Sequence, residues 1–172
     1  NEFYKLLDQV PPFDKDYVEK IITQELGTNT SPLFKEFDFK PIASASFAQV
    51  HKGLLNTGEI VAVKVQRPNL EKVINKDMRL LKFVGSIVDF LVKPANKMSK
   101  IVKEFEEWTK DELNYKLEAA NIKRFNKVSE KVGDGIRGPK VYEQYSSSKV
   151  LTMEYIDGYS LSQIIGFIRG ND

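Results

Sequence analysis

Apolar residues change their spacing repeatedly along this chain, and each change marks a new element. Val10-Pro11-Pro12 breaks any helix that begins near Glu2, because proline removes a donor and disfavours helical geometry in the residue before it. Asp14 or Asp16 can cap the next helix, which carries Ile21, Ile22 and Leu26 and stops at Gly27. Thr28–Pro32 reads as a polar turn. From Phe37 to Gln66 the spacing shortens: Phe37 and Phe39 alternate with charges, then Phe47, Val50, Leu54 and Leu55 follow a small-residue loop. This stretch predicts three antiparallel strands, the last at Ile60–Val65, with Asn56-Thr57-Gly58 as a hairpin connection.

Helical spacing returns after Arg67-Pro68. Asn69 can cap a helix to about Val92, with Leu70, Val73, Ile74, Leu81, Val84, Val88 and Leu91 on its apolar stripe, and Pro94 ends it. A second helix is predicted from about Ser99 to Lys131, striped by Ile101, Phe105, Trp108, Leu113, Ile122, Phe125 and Val128. Unbroken, it would span roughly 50 Å. Gly133, Gly135 and Gly138-Pro139 close the section. Two more strands, Lys140–Gln144 and Val150–Tyr155, flank the turn Tyr145–Lys149, in which Ser146-Ser147-Ser148 is the bend. Asp157-Gly158 turns the chain towards a last helix near Ser160. The expected fold is α+β: a five-stranded antiparallel sheet with two long helices against it and a short N-terminal helical extension. Three strands, a helical excursion and two strands is the layout of the smaller lobe of a protein kinase. The expected division is an extension at 1–36, the lobe at 37–158, and the start of a connection to a larger lobe at 159–172.

Composition narrows the class. The chain has 172 residues, 41% hydrophobic and 29% charged, as a folded globular chain does. Its net charge of +2 argues against a basic face that wraps nucleic acid. With no cysteine and the single His51, thiolate and multi-histidine metal sites are excluded. Asn1–Val10 has no signal-peptide core, and the most apolar stretch, Phe83–Val92, is too short to cross a bilayer and contains Asp89. These features predict a cytoplasmic protein, and a start without methionine predicts a piece of a longer one. Any peripheral membrane contact would come from segments beyond this chain; the lysines at Lys93–Lys103 read as a solvated face, with a weak anionic-membrane contact as the alternative.

Chemistry concentrates at Lys64. Burying an unpaired ammonium is costly, so a lysine inside the apolar strand Val61-Ala62-Val63-Lys64-Val65 asks for a partner. Val61-Ala62-Val63-Lys64 matches the V-A-I-K pattern of protein kinases, whose lysine holds nucleotide phosphates. The bland reading is an edge-strand lysine that snorkels to water. The loop Ala43-Ser44-Ala45-Ser46 has side chains small enough to let backbone N–H groups approach phosphate oxygens. It uses alanine and serine where kinases use glycine, so it is stiffer. A plain turn between strands remains the alternative. His51 and Trp108 read as structural.

Together these motifs resemble the UbiB-type atypical kinase-like proteins, also called the AarF or ADCK family. Pro41–His51, P-I-A-S-A-S-F-A-Q-V-H, is similar to that family's alanine-rich loop, and Val63–Pro68 to its lysine strand. Asp8–Pro12 resembles the stretch just after its K-x-G-Q signature, which itself is absent. Glu112–Asn121 resembles its E-x-D motif and extended αC region, with Asn114 where the family has aspartate. The resemblance implies that Glu118 pairs with Lys64 and that Glu112 is the glutamate of E-x-D. On one continuous helix, Glu112 and Glu118 would lie about 120° apart. Val150–Gly158 resembles a kinase hinge: Met153 beside an adenine, the Glu154 carbonyl and Ile156 N–H bonding its edge, Val50 and Ala62 covering the base.

The implied cofactor is ATP or ADP, with Mg²⁺ in the full-length protein held by ligands this chain lacks. No catalytic-loop aspartate or metal-binding aspartate can be placed after Gly158. The expected function is therefore that of a nucleotide-binding lobe of an atypical kinase-like ATPase or phosphotransferase, linked to quinone or other isoprenoid-lipid metabolism and not catalytic alone. Its partners would be nucleotide, the larger lobe of the same protein and, through the lobe face left open, a second copy. The alternatives are a non-catalytic regulatory or interaction module and a small-molecule kinase of the aminoglycoside-phosphotransferase type.

Overall fold

The computed structural model describes residues 10–28, 30–92, 97–133, 135–159 and 164–167. The helix expected before Pro11 lies outside these residues, as does the start of the one expected near Ser160; residues 164–167 are helical. Helix α1, Lys15–Leu26, begins after Asp14 and ends where Gly27 turns left-handed at φ 76° and donates its N–H to the Thr23 carbonyl. A helical turn, Thr30–Leu33, replaces part of the predicted polar turn and leads into strand β1, Phe34–Phe37. Strands β2 (Ala43–Ser44), β3 (Ala48–Leu55), β4 (Ile60–Gln66) and β5 (Val150–Glu154) complete one antiparallel sheet of five strands, ordered β1-β3-β4-β5 with β2 also on β3.

The sheet has the expected number of strands but a different membership. The first strand lies earlier than expected, at β1, and the start of the predicted small-residue loop forms β2; both lie on the same edge of β3. Asp38 and Ile42 still donate to Lys52 and Val50 of β3, but Pro41 between them has no N–H to give. The predicted strand Lys140–Gln144 is not one. Val141 forms a single bridge to Met153, and the chain then winds into a 3-10 turn at Glu143–Tyr145. Serine hydroxyls explain the early bend. Ser146 accepts from Thr152 N–H and donates to the Tyr142 carbonyl, while Ser147 accepts from the N–H groups of Lys149 and Val150.

The near-continuous apolar run in β4 follows from cover on both faces of the sheet. Val61, Val63 and Val65 pack with Leu55, Val150 and Phe34 against Val18, Ile21 and Ile22 of α1. The alternate residues face a second cluster: Ala48 and Leu151 pack with Tyr115 and Ala119, and Met153 packs against it. Helices α2 (Leu70–Val92) and α3 (Met98–Glu112) form a hairpin, and α4 (Tyr115–Val132) follows. The predicted 99–131 helix is therefore two helices, about 22 and 27 Å long. Asn114 makes the break. It leaves helical geometry at φ −105° and ψ 95°, and its side chain accepts from Lys116 N–H as the N-cap of α4.

Two buried polar residues tie the segment before α1 to the sheet. The Gln49 amide accepts from Phe13 N–H at 3.0 Å, donates to the Phe13 carbonyl at 3.2 Å, and meets His51 Nε2 at 2.9 Å. His51 Nδ1 lies 2.9 Å from the Asp38 carbonyl, so the neutral ring with its proton on Nδ1 satisfies both contacts. Burial lowers the His51 pKa below its ordinary value, and the Asp38 carbonyl only partly offsets this. An unfolded chain takes up that proton as pH falls through about 6.5, whereas the folded chain resists it. Folding stability, measured by urea denaturation, should hold above that pH and decline as the pH falls below it. In His51→Gln that decline should disappear.

Candidate functional site

Antiparallel register decides which side chains share a face, because residues directly opposite one another point the same way. Lys64 on β4 lies opposite Val50 on β3 and Leu151 on β5, while Ala62 lies opposite Met153. Ala43 on β2 is opposite Val50. Ala43, Val50, Ala62, Lys64 and Met153, chosen from motif and resemblance, therefore occupy one face. That face is the one α4 packs on.

Helix α4 delivers the partner. Both carboxylate oxygens of Glu118, in its first turn, accept from Lys64 Nζ, at 2.7 and 3.0 Å. The two side chains are 22% and 36% exposed, so the pair is sheltered yet reachable from solvent. Beneath it lies the ring of Tyr115, with Lys64 Nζ 4.6 Å from the centroid. The break before α4 is itself anchored: Gln66 Nε2 donates to the Leu113 carbonyl at 2.7 Å and Tyr115 N–H to the Ser148 carbonyl at 3.0 Å. Lys64 and Gln66 thus reach from one strand face to either side of the same helix junction.

The break also corrects the expected placement of Glu112. It ends α3, so the 120° separation calculated for a continuous helix does not apply. Glu112 and Glu118 instead line one open concavity of about 760 Å³, with Trp108, Leu117 and Asn121. Both carboxylates act on Tyr115: burial first, then Glu118 and Glu112, push its hydroxyl well above the ordinary tyrosine range. Asn114, the departure from the family's aspartate, serves as a cap, a task either residue performs.

The small-residue loop is held from behind by a residue that motif reading treated only as a strand end. The Arg67 guanidinium donates to the Ala45 carbonyl at 2.9 Å, Ser44 Oγ at 3.1 Å and the Pro11 carbonyl at 2.8 Å. Ala45 N–H closes the turn onto the Ala48 carbonyl, so that donor is already used; Ser46 is exposed at the turn. At the far end of the sheet, Glu154 is turned to structure. Arg137 grips its carboxylate with two bonds, at 2.5 and 2.8 Å, and holds its pKa down to about 2, helped by Lys140 N–H. Ile156 lies exposed beyond β5. Neither side chain joins Lys64. Arg67, Gln66, Tyr115 and Arg137 were not singled out as site residues; the one sequence signal available was a cation or amide adjoining a motif.

Chemically, the face offers one held ammonium on the same side of the sheet as Val50, Ala62 and Met153. Among the described residues no three metal-ligating side chains cluster.

A family model described as the ABC1 atypical kinase-like domain matches residues 5–167. The chain belongs to that family. It is 38% identical over 168 residues to the Arabidopsis thaliana chloroplastic protein Activity of bc1 Complex Kinase 7, which covers 95% of this chain and 24% of the relative. An uncharacterized Mycobacterium tuberculosis protein, Rv0647c, is 37% identical over 161 residues, 91% of this chain and 33% of its own length. The chain thus spans a quarter to a third of the curated relatives it matches. In structure it is similar to M. tuberculosis Rv3197, solved in complex with erythromycin, with a TM-score of 0.77 and 32% identity over 91% of this chain and 39% of that one. The fold of this ABC1 domain is a kinase-like N-lobe.

The Tyr115 hydroxyl is buried with no hydrogen-bond partner among the described residues. A buried donor left unmade costs about 1–3 kcal/mol, whereas its removal leaves the ring under Lys64 intact. Tyr115→Phe should therefore raise stability by about 1 kcal/mol, read from the denaturant midpoint. A clear loss of stability would contradict this view of the site.

Proposed function

We propose that this ABC1 domain is the nucleotide-binding lobe of an atypical kinase-like ATPase or phosphotransferase. The observation that carries the proposal is the Lys64–Glu118 pair on the same sheet face as Val50, Ala62 and Met153. Glu118 holds the ammonium in place, and a polyphosphate would take up the donor directions the carboxylate leaves open. Val50 and Ala62 would meet one side of an adenine and Met153 its edge, with the backbone of Glu154 and Ile156 beyond. The loop Ala43–Ser46, pinned by Arg67, would close over the phosphates with little freedom. A bound nucleotide with Mg²⁺ would supply the transferable phosphoryl group; the residues of this chain bind and orient it. The larger lobe of the parent protein would complete the cleft and provide the metal ligands.

The proposed biological setting, quinone or other isoprenoid-lipid metabolism, is supported by the resemblance of the alanine-rich loop and the E-x-D segment to UbiB-type proteins. A non-catalytic interaction module is the rival reading, favoured by the exposed apolar side chains of α2.

Calorimetric titration of the whole parent protein with ATP and ADP separates the two. A charge-assisted phosphate contact is worth about 1.5–3 kcal/mol, so Lys64→Ala should weaken nucleotide binding by roughly 10- to 100-fold. Unchanged nucleotide affinity in Lys64→Ala would favour the interaction module.

A further inference from the structure

A trans peptide points its C=O and the following N–H in opposite directions, so holding one aims the other. No described peptide bond is cis. Where a loop carbonyl is anchored therefore decides where the next amide is offered. At the small-residue loop the anchor is Arg67. Its Nε donates to the Ala45 carbonyl at 2.9 Å and its Nη2 to Ser44 Oγ at 3.1 Å. Its own backbone N–H donates to the Phe47 carbonyl at 2.9 Å. One residue thus holds the turn on both sides of Ser46. All of these acceptors are neutral, so the guanidinium serves as a rigid fork rather than as half of an ion pair.

The anchor is itself held. Arg67 Nη2 also donates to the Pro11 carbonyl at 2.8 Å, and the guanidinium carbon lies 5.5 Å from the centre of the Phe13 ring. Phe13 is fixed in turn by two backbone bonds to the Gln49 amide of β3. Arg67 continues the alternation of Val61, Val63 and Val65 and meets the segment that leads into α1, so it stands on the α1 side of the sheet. Lys64 and Glu118 pair on the other side. The Ala45 carbonyl is drawn towards Arg67, which turns the Ser46 N–H away from it, towards the face of Lys64. That N–H has no hydrogen-bond partner among the described residues, whereas the Ala45 N–H is spent on the Ala48 carbonyl.

We propose that Arg67 is a positioning residue: through the Ala45 carbonyl it aims the Ser46 N–H at the Lys64 side of the sheet, where a phosphate group accepts from it. Arg67 touches no ligand itself. Because the same guanidinium rests on Pro11 and Phe13, the order of the loop depends on the entry segment before α1. The inference rests on the nucleotide-binding reading for its ligand, but not for the bracing of the loop.

Two measurements test the bracing and the ligand separately. In this chain, amide exchange followed by NMR reads the loop without nucleotide. Arg67→Met should speed exchange of the Ala45 N–H by roughly 10- to 100-fold, because it removes bonds from a charged donor. The Leu55 N–H, bonded to the Glu59 carbonyl in the β3–β4 hairpin, should change far less. Arg67→Lys should not restore the native rate, since one ammonium cannot replace the guanidinium fork. Phe13→Leu keeps apolar cover but removes the stacked ring, and should speed Ala45 exchange by about two- to fivefold. Equal acceleration at Ala45 and Leu55, or full rescue by lysine, would overturn the proposal; should the Arg67 variants fail to fold, an unchanged Ala45 rate in Phe13→Leu would overturn it. In the whole parent protein, calorimetric titration compares ATP with adenosine, which carries no phosphate. Arg67→Met should weaken ATP binding by roughly tenfold and leave adenosine binding as it was. Unchanged ATP affinity, or equal losses for both ligands, would overturn the inference and leave the nucleotide-binding reading standing. No ATP binding by the unaltered parent would overturn that reading and the phosphate role of the Ser46 N–H with it.

Discussion

One ammonium group organises the candidate site. Lys64 must sit in a strand whose neighbours are valines, and it does so only because Glu118 reaches it. That reach depends on the end of α3 at Glu112 and the new start of α4 at Tyr115. A continuous helix would have carried the two glutamates to separate sides. Asn114 caps the new helix, Gln66 takes the Leu113 carbonyl, and the Tyr115 ring lies under the ammonium. The junction is thus built from three directions, and the pair inherits its position from the junction.

The sheet serves this arrangement by dividing its labour between faces. Alternation in β4 sends Val61, Val63 and Val65 to the α1 side, where the main core lies, and leaves Ala62, Lys64 and Gln66 for the α4 side. Gln49 and His51 anchor the approach to α1 through Phe13, and Arg67 joins the same entry segment, through Pro11, to the small-residue loop. The N-terminal segment is consequently tied to both the back of the sheet and the loop in front of it. This couples packing to the candidate site without any residue of α1 entering that site.

Much of this was legible in the chain. The valine-flanked lysine, the helices α1 and α2, and the Lys64–Glu118 partnership followed from spacing, caps and the family motifs. The short strand β2, inside the predicted loop, and the helix break at Asn114 did not. Small residues at Ala43–Ser44 carry no strand pattern, and at Asn114 an apolar helical pattern continued across a break that a capping amide decides. Lys140–Gln144 failed as a strand for a related reason, since serine hydroxyls two to four residues later drew the backbone into a turn. Roles made by long-range contacts, such as Arg67 with Pro11 or Arg137 with Glu154, leave no periodic trace, and only the folded structure brings those partners together.

The account rests on Lys64 and Glu118 acting as a coupled unit, and a double-mutant cycle tests that directly. Urea unfolding of the native chain, Lys64→Met, Glu118→Gln and the double variant gives the interaction energy free of each residue's separate effect. A coupling of about 1 kcal/mol, screened by the partial exposure of both groups, is the expected result. Strictly additive single effects would contradict the central claim, because they would mean that the strand lysine and the helix carboxylate sit side by side without holding one another.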